Sequence, residues 1–250
     1  MIPDRHILAA KIALEAELTA TLTRTLPGYV NELASDRLTM SAREVWRLKL
    51  VDLLVLHYAR VVSAMRGLPM RKRPPLDEVA LSMDHAFGLR RRASQQAALL
   101  MQGMDRGLTI VNAIDEKGII DGLSRKAKQL WDWLKSKIPS IANQETQEPA
   151  EATRHEEATQ RAGNRRLQKW WSSMNDDRVR PAHEAAEGQV QDALTPFTVG
   201  GELMMYPGDA TYGASLGNRI NCRCSARWFA VNHDGTTEAL GGTPRGGPAP

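Results

Sequence analysis

Leu14, Leu18, Leu22 and Leu26 recur at every fourth position with polar residues between them, which is the stripe of an amphipathic helix that Pro27 and Gly28 are expected to stop. A second apolar pattern runs from Val45 to Met65. Ser41 and Glu44 stand ahead of it at capping-box spacing, and Gly67 and Pro69 follow it. Pro74 and Pro75 introduce a third pattern from Asp77 to Met101, which Gly103 and Gly107 interrupt, and a fourth runs from Ser124 to Ile138 and ends at Pro139. Each segment has one apolar face to bury, so the four are expected to pack as a bundle.

The texture then changes. Residues 139–152, PSIANQETQEPAEA, are poor in large apolar groups, rich in Gln and Glu, and broken by proline, which predicts a linker. His155 to Ser172 is expected to be helical again. Pro196 to Tyr206 predicts a hairpin whose turn uses Gly200 and Gly201, residues free to adopt positive φ. From Ile220 to Ala230 the chain alternates, with Cys222, Cys224, Ala226 and Trp228 on one face and Asn221, Arg223, Ser225 and Arg227 on the other, as in a strand. The closing GGTPRGGPAP offers nothing to pack and is expected to be a flexible tail. The fold class expected is α+β, a mainly helical N-terminal half followed by a small α+β C-terminal domain with short strands and a hairpin. Its units are a helical domain over 1–138, a linker over 139–152, a second domain over 153–232 and a tail over 233–250.

Composition adds limits. The 250 residues are 42% hydrophobic, enough for an ordinary core, and the net charge of +4 tolerates nucleic acid without demonstrating contact with it. The most apolar segment is interrupted by Arg47, Lys49, Asp52, His57 and Arg60, so no membrane span is expected. The start of the chain lacks the apolar stretch of a signal peptide, which points to a cytosol-like compartment. The two cysteines, Cys222 and Cys224, stand too close in sequence for an unstrained disulfide, so reduced thiols or a metal fit them better.

Three blocks lie in order between Trp170 and Cys224: WWSSMNDDRVRPAHEAAEGQ, PFTVGGELMMYPGD and NRINCRC. Their order and spacing resemble the C-terminal domain of phage Mu F-like head morphogenesis proteins. The first matches that family's D-x-R-x-R-x-x-H core at Asp176 or Asp177, Arg178, Arg180 and His183. The second carries its Pro-Phe, Gly-Gly and Tyr-Pro-Gly-Asp elements at Pro196, Phe197, Gly200, Gly201, Tyr206, Pro207, Gly208 and Asp209. The third ends in Asn221, Cys222, Arg223 and Cys224. Arg154, His155 and Glu156 stand where relatives show Arg-Thr-Glu, so the middle residue departs from the pattern.

The resemblance assigns 153–232 to the head morphogenesis domain and implies a minor head protein, a virion component assembled in the host cytoplasm and held inside the head near the portal. Portal protein is the partner so implied, with major capsid or scaffolding protein and packaged double-stranded DNA as further contacts. Too few residues follow Cys224 for the toxin domain that some relatives carry, and none is expected.

Asp177, His183, Cys222 and Cys224 offer a carboxylate, an imidazole and two thiolates, a set that suits tetrahedral zinc. The competing reading packs the thiols as small hydrophobes beside Trp228 and lets His183 fix a turn through a carbonyl. Arg178 and Arg180 are expected to pair with Asp176 and Asp177 and to lock the segment into a helix starting near Pro181. Arg71, Lys72 and Arg73, with Arg90, Arg91 and Arg92, are the candidates for DNA phosphates, since no acid interrupts either run. Of the pairs Trp131/Trp133 and Trp170/Trp171, one member each is expected in the core, and His57 reads as a satisfied core residue.

The leading reading is a structural assembly protein and not an enzyme. The alternatives are a metal-dependent nuclease, with His183 and the two thiols on the metal and Asp209 or Glu202 handling a proton, and a DNA-binding module working through the basic helical half.

Overall fold

The leucine stripe does build the first helix, but Pro27 does not end it. The computed structural model describes residues 4–35, 38–69, 71–115 and 123–240. Helix α1 spans Asp4–Ala34 with Pro27 inside it. A proline removes one amide donor from a helix. Here Leu22, Leu26, Tyr29, Val30 and Leu33 bury one continuous face on both sides of it, and that packing outweighs the lost bond.

Helix α2, Met40–Met65, begins one turn before the apolar pattern. Its cap is Thr39, whose hydroxyl accepts from the Ala42 amide at 3.1 Å, while Glu44 pairs with Arg47 instead of closing a box with Ser41. After the prolines comes a single turn, α3 (Leu76–Val79), and then α4, Met83–Asp115, which runs straight through Gly103 and Gly107. At Gly107 α4 lies close against the next helix. A Cβ there would lie 2.8 Å from Leu130 Cδ1 and 3.2 Å from the Trp133 ring.

The largest departure is the expected linker. Helix α5 spans Leu123–Ala162, through both Pro139 and Pro149, so residues 139–152 are helix and not a tether. Their polar side chains face inward: Glu145, Thr146, Gln147 and Glu151 are all buried. Composition misled because these groups are polar, yet each has a partner supplied by another element. Tyr58 donates to Glu145 at 2.5 Å, and the His57 ring lies 3.0 Å from the Thr146 hydroxyl. His57 is thus a satisfied core residue.

The first core cluster joins α1, α2, α3, α4 and the first part of α5, with Leu22, Leu50, Leu54, Tyr58 and Met104 fully enclosed. Trp131 packs against it, whereas Trp133 stays 38% exposed.

The chain turns at Gly163 into a strand, β1 (Arg166–Ser172), where a continuing helix was expected. Alternation decides the matter: Leu167, Lys169 and Trp171 point inward with intermediate or exposed neighbours between them, a period of two and not of 3.6. Beyond the short helix α6 (Pro181–Glu184) come β2 (Val190–Asp192), β3 (Phe197–Val199), β4 (Glu202–Met204), the one-turn α7 (Leu216–Arg219), β5 (Ser225–Val231) and β6 (Thr237–Ala239).

One antiparallel sheet has the order β2-β1-β5-β6, with Trp171 opposite Ala226 and Lys169 opposite Trp228. The second is the hairpin β3-β4, whose turn residues Gly200 and Gly201 both have positive φ as the sequence requires. Residues 233–240, expected as part of a tail, are not one, because β6 pairs with β5 and Leu240 is buried. Residues 241–250 lie outside the described residues.

The C-terminal half of α5 packs Ala158 and Ala162 into the second core with Trp171, Phe197, Trp228 and both cysteines. The α+β expectation holds, helical first and sheet-containing later. The two parts share α5.

Candidate functional site

The side chains of the D-x-R-x-R-x-x-H and NCRC segments converge at one end of the β1–β5 sheet. Two stretches bring them there: residues 173–184, which follow β1, and residues 215–224, which precede β5. Pro181 starts α6 at the position where a missing amide costs nothing, and that turn projects His183 into the core at 2% exposure. Ser215 caps α7, accepting from the Asn218 amide at 3.3 Å. Asn221, at φ +54°, then reverses the chain so that Cys222 and Cys224 point inward before β5 begins. The strand starts at Ser225, later than the alternation suggested; its expected inward face is buried, but Arg227 on the face expected outward is buried as well.

His183 sits between an amide and two thiols. Its Nδ1 lies 3.4 Å from Cys224 Sγ and 3.6 Å from Cys222 Sγ, and its Nε2 lies 2.8 Å from Asn218 Oδ1 and 3.0 Å from the Asn218 carbonyl. Trp171 closes one side of the ring in an edge contact at 5.5 Å. The Asn218 amide is itself oriented, because Nδ2 donates to the Val199 carbonyl at 2.9 Å and to Glu202 at 3.0 Å, both acceptors only. Oδ1 must therefore face His183 and Nε2 must carry a ring proton, which leaves Nδ1 turned toward the sulfurs. The turn fixed by a histidine–carbonyl contact, expected from sequence, is present, and the thiols beside it are buried. Hydrogen bonding with Cys224, and then with His183, lowers the Cys222 thiol, while Cys222 and burial push Cys224 upward.

Other predicted residues find different roles. Asp177 is exposed and is not part of the cluster, which among the described residues consists of His183, Cys222 and Cys224, so it is withdrawn from the ligand set. Asp176 pairs bidentately with the Arg223 guanidinium, at 2.7 and 2.6 Å, and from Arg178 accepts only the backbone amide, at 3.1 Å. Arg180 instead donates to the Ile220 carbonyl, and both contacts clamp the cysteine loop from outside. Arg178 lines a cavity of about 530 Å³ between α1 and this loop.

Gly200 brings the hairpin against α6, since a Cβ there would lie 3.0 Å from Ala182 Cβ. Pro207 and Asp209 are buried, and Asp209 accepts from the Met205 and Thr211 amides at 2.8 and 2.9 Å. Glu202 accepts from Ser215 and Asn218. Each carboxylate named for proton transfer in the nuclease alternative is thus engaged as an acceptor in a turn.

The basic runs fare unevenly. The fold supplies the acids their sequence neighbourhoods lack: Asp77 pairs with Arg90, Glu78 with Arg71, and Glu145 and Glu148 with Arg92. Arg92, with its side chain only 14% exposed, is a buried ion-pair residue and is withdrawn as a phosphate contact. Lys72, Arg73 and Arg91 remain on the surface.

Sequence reading missed Asn218, although it opens the NRINCRC block. It also missed the polar face of α5. There Lys11 reaches Gln147 at 2.9 Å and Glu151 at 2.6 Å, Gln147 donates to the Cys224 carbonyl at 2.6 Å, and Glu151 accepts from the Ala226 amide at 3.0 Å. His155, at the position that departs from the Arg-Thr-Glu pattern, stacks on Trp228 at 4.7 Å. Lys169 was equally hidden: an inward strand position holds an amine that donates to the Ala193 and Met205 carbonyls, and burial lowers it to about 8. Nothing in the sequence distinguishes it from an edge lysine.

No curated protein and no solved structure matches the chain. The family model described as Phage Mu protein F like protein matches residues 98–227, a span that starts within α4, includes all of α5, and takes in every residue of the histidine–cysteine cluster. That span is more than half of the chain and reaches well upstream of the three sequence blocks, and on it the chain belongs to the Phage Mu protein F like family.

Proposed function

We propose that this protein is a minor head protein of a tailed phage, a structural component that acts in head morphogenesis, binds the portal protein and is retained inside the virion near the portal vertex. The observation that carries the reading is the family match across α5 and the C-terminal sheets. It is not an enzyme in this reading, and the commitment of Asp209 and Glu202 to turn amides agrees with that.

The portal contact falls to the helical half. Leu99 and Trp133, both exposed, border a groove of about 230 Å³ between α4 and α5 that gives such a partner an apolar foothold. Co-expression with the portal protein of the same phage, followed by size exclusion, tests it. The two are expected to co-elute, and Leu99→Glu is expected to weaken that association while the chain stays folded. A folded chain that elutes alone, with the portal elsewhere, would remove the portal from the reading.

A further inference from the structure

We infer that His183, Cys222 and Cys224 bind one zinc ion, through imidazole Nδ1 and two thiolates, with a water molecule in the fourth position. The inference goes beyond the assembly role and does not depend on it.

Geometry carries the argument. Zinc–nitrogen and zinc–sulfur bonds of about 2.0 and 2.3 Å at a tetrahedral angle place nitrogen and sulfur about 3.5 Å apart. The structure has Nδ1 at 3.4 and 3.6 Å from the two sulfurs, and the three ligand atoms all lie within 4.8 Å of one another. A single N–H···S contact would account for one of those separations. Two thiols converging on one ring nitrogen suit a shared cation.

The surroundings have the form of a metal site. A ligating histidine ordinarily gives its other ring proton to an oxygen that fixes tautomer and orientation, and such partners are worth about 10–100-fold in metal affinity. Asn218 fills that place, and is itself held by Val199 and Glu202. Nδ1 is therefore ready to ligate before any ion arrives. The Cys-x-Cys spacing, short for a zinc site, works because side chains at i and i+2 of an extended segment point the same way.

A cavity of about 10 Å³ borders all three ligand residues, which is room for one water. Arg180 and Arg223 stand at its rim. Two thiolates and an imidazole favour zinc over calcium or magnesium, which seek oxygen. Binding leaves both sulfurs as thiolates, with any proton still held by the thiols or Nδ1 released to solvent and no change of oxidation state.

The ion would join α6 to the chain ahead of β5, segments about forty residues apart in sequence. Its role is then a cross-link in a domain whose second core is small.

The full chain, expressed without a polyhistidine tag and purified under reductant, is expected to carry about one zinc per chain by elemental analysis. Replacing zinc with cobalt(II) is expected to give the intense visible bands of a tetrahedral ion together with a near-ultraviolet thiolate band. Cys222→Ser and His183→Ala are expected to lose the metal, and Asn218→Ala to keep the cobalt bands but bind about 10–100-fold more weakly. The cobalt measurement uses the unaltered protein, so a variant that fails to fold leaves the test intact. A folded, reduced chain without zinc that gives no thiolate–cobalt band would overturn the proposal. Zinc retained at full stoichiometry by folded Cys222→Ser and His183→Ala would do the same.

Discussion

His57 is buried and His155 half-buried beside aromatic rings, and neither gains a charge partner strong enough to offset the loss of water. Burial lowers His57 to about 3, and burial followed by the nearby Lys169 lowers His155 to about 4. Both stay neutral in the folded chain over a range where the unfolded chain takes up protons. Stability from these two groups is therefore complete above about pH 6.5 and falls as the pH drops, by up to about 1.4 kcal/mol per pH unit for each. Glu15 and Glu148, whose carboxyls burial raises, bind protons in the folded chain and act in the opposite direction. The difference between variants is thus the cleaner measurement. Urea midpoints taken from pH 7.5 to 5 should show a shallower decline for His57→Gln than for the unaltered chain, and equal slopes would contradict the account.

Helix α5 is the element on which the molecule turns. Its first part closes the helical core, its end enters the sheet core, and between them a row of buried polar groups bonds to α1, α2 and β5. Glu151 is the most connected of these. It is fully buried, and it takes Lys11, Arg154 and the Ala226 amide at once. Removing one partner from a buried charge cluster leaves the others without compensation, at a cost of about 3–5 kcal/mol. Glu151→Ala is expected to lose stability on that scale in chemical denaturation. Glu44→Ala, where an exposed residue pairs with Arg47, should change it by less than about 1 kcal/mol.

For the molecule as a whole, a shared α5 means that the two halves are coupled in folding. Chains cut within 139–152, where composition suggested a tether, would sever the helix and expose Glu145, Thr146, Gln147 and Glu151. Fragments 1–138 and 153–250, produced separately, are expected to be insoluble or to lack a cooperative thermal transition. Two soluble fragments, each with its own sharp melt, would show that the spine is dispensable.

The sequence by itself determined the order of helix and strand, the leucine stripe of α1, the hairpin at Gly200 and Gly201, the start of α6 at Pro181 and the identity of the histidine and thiols. Each rests on a local rule: periodicity, a φ preference, a missing amide, or a motif whose residues are near neighbours in the chain. The resemblance to Mu F-like proteins was legible in the same three blocks. Only the tertiary structure decided that Pro27, Pro139 and Pro149 lie within helices, because burial on both sides of a proline outweighs one absent hydrogen bond. It alone turned the Gln/Glu-rich stretch into a buried spine, since whether a polar side chain is solvated or partnered depends on residues more than a hundred positions away, as with Lys11 and Glu151. The same holds for Asp177, which lay next to the right residues in sequence but faces solvent, and for Asn218, whose part appears only when the hairpin brings Val199 and Glu202 to its amide.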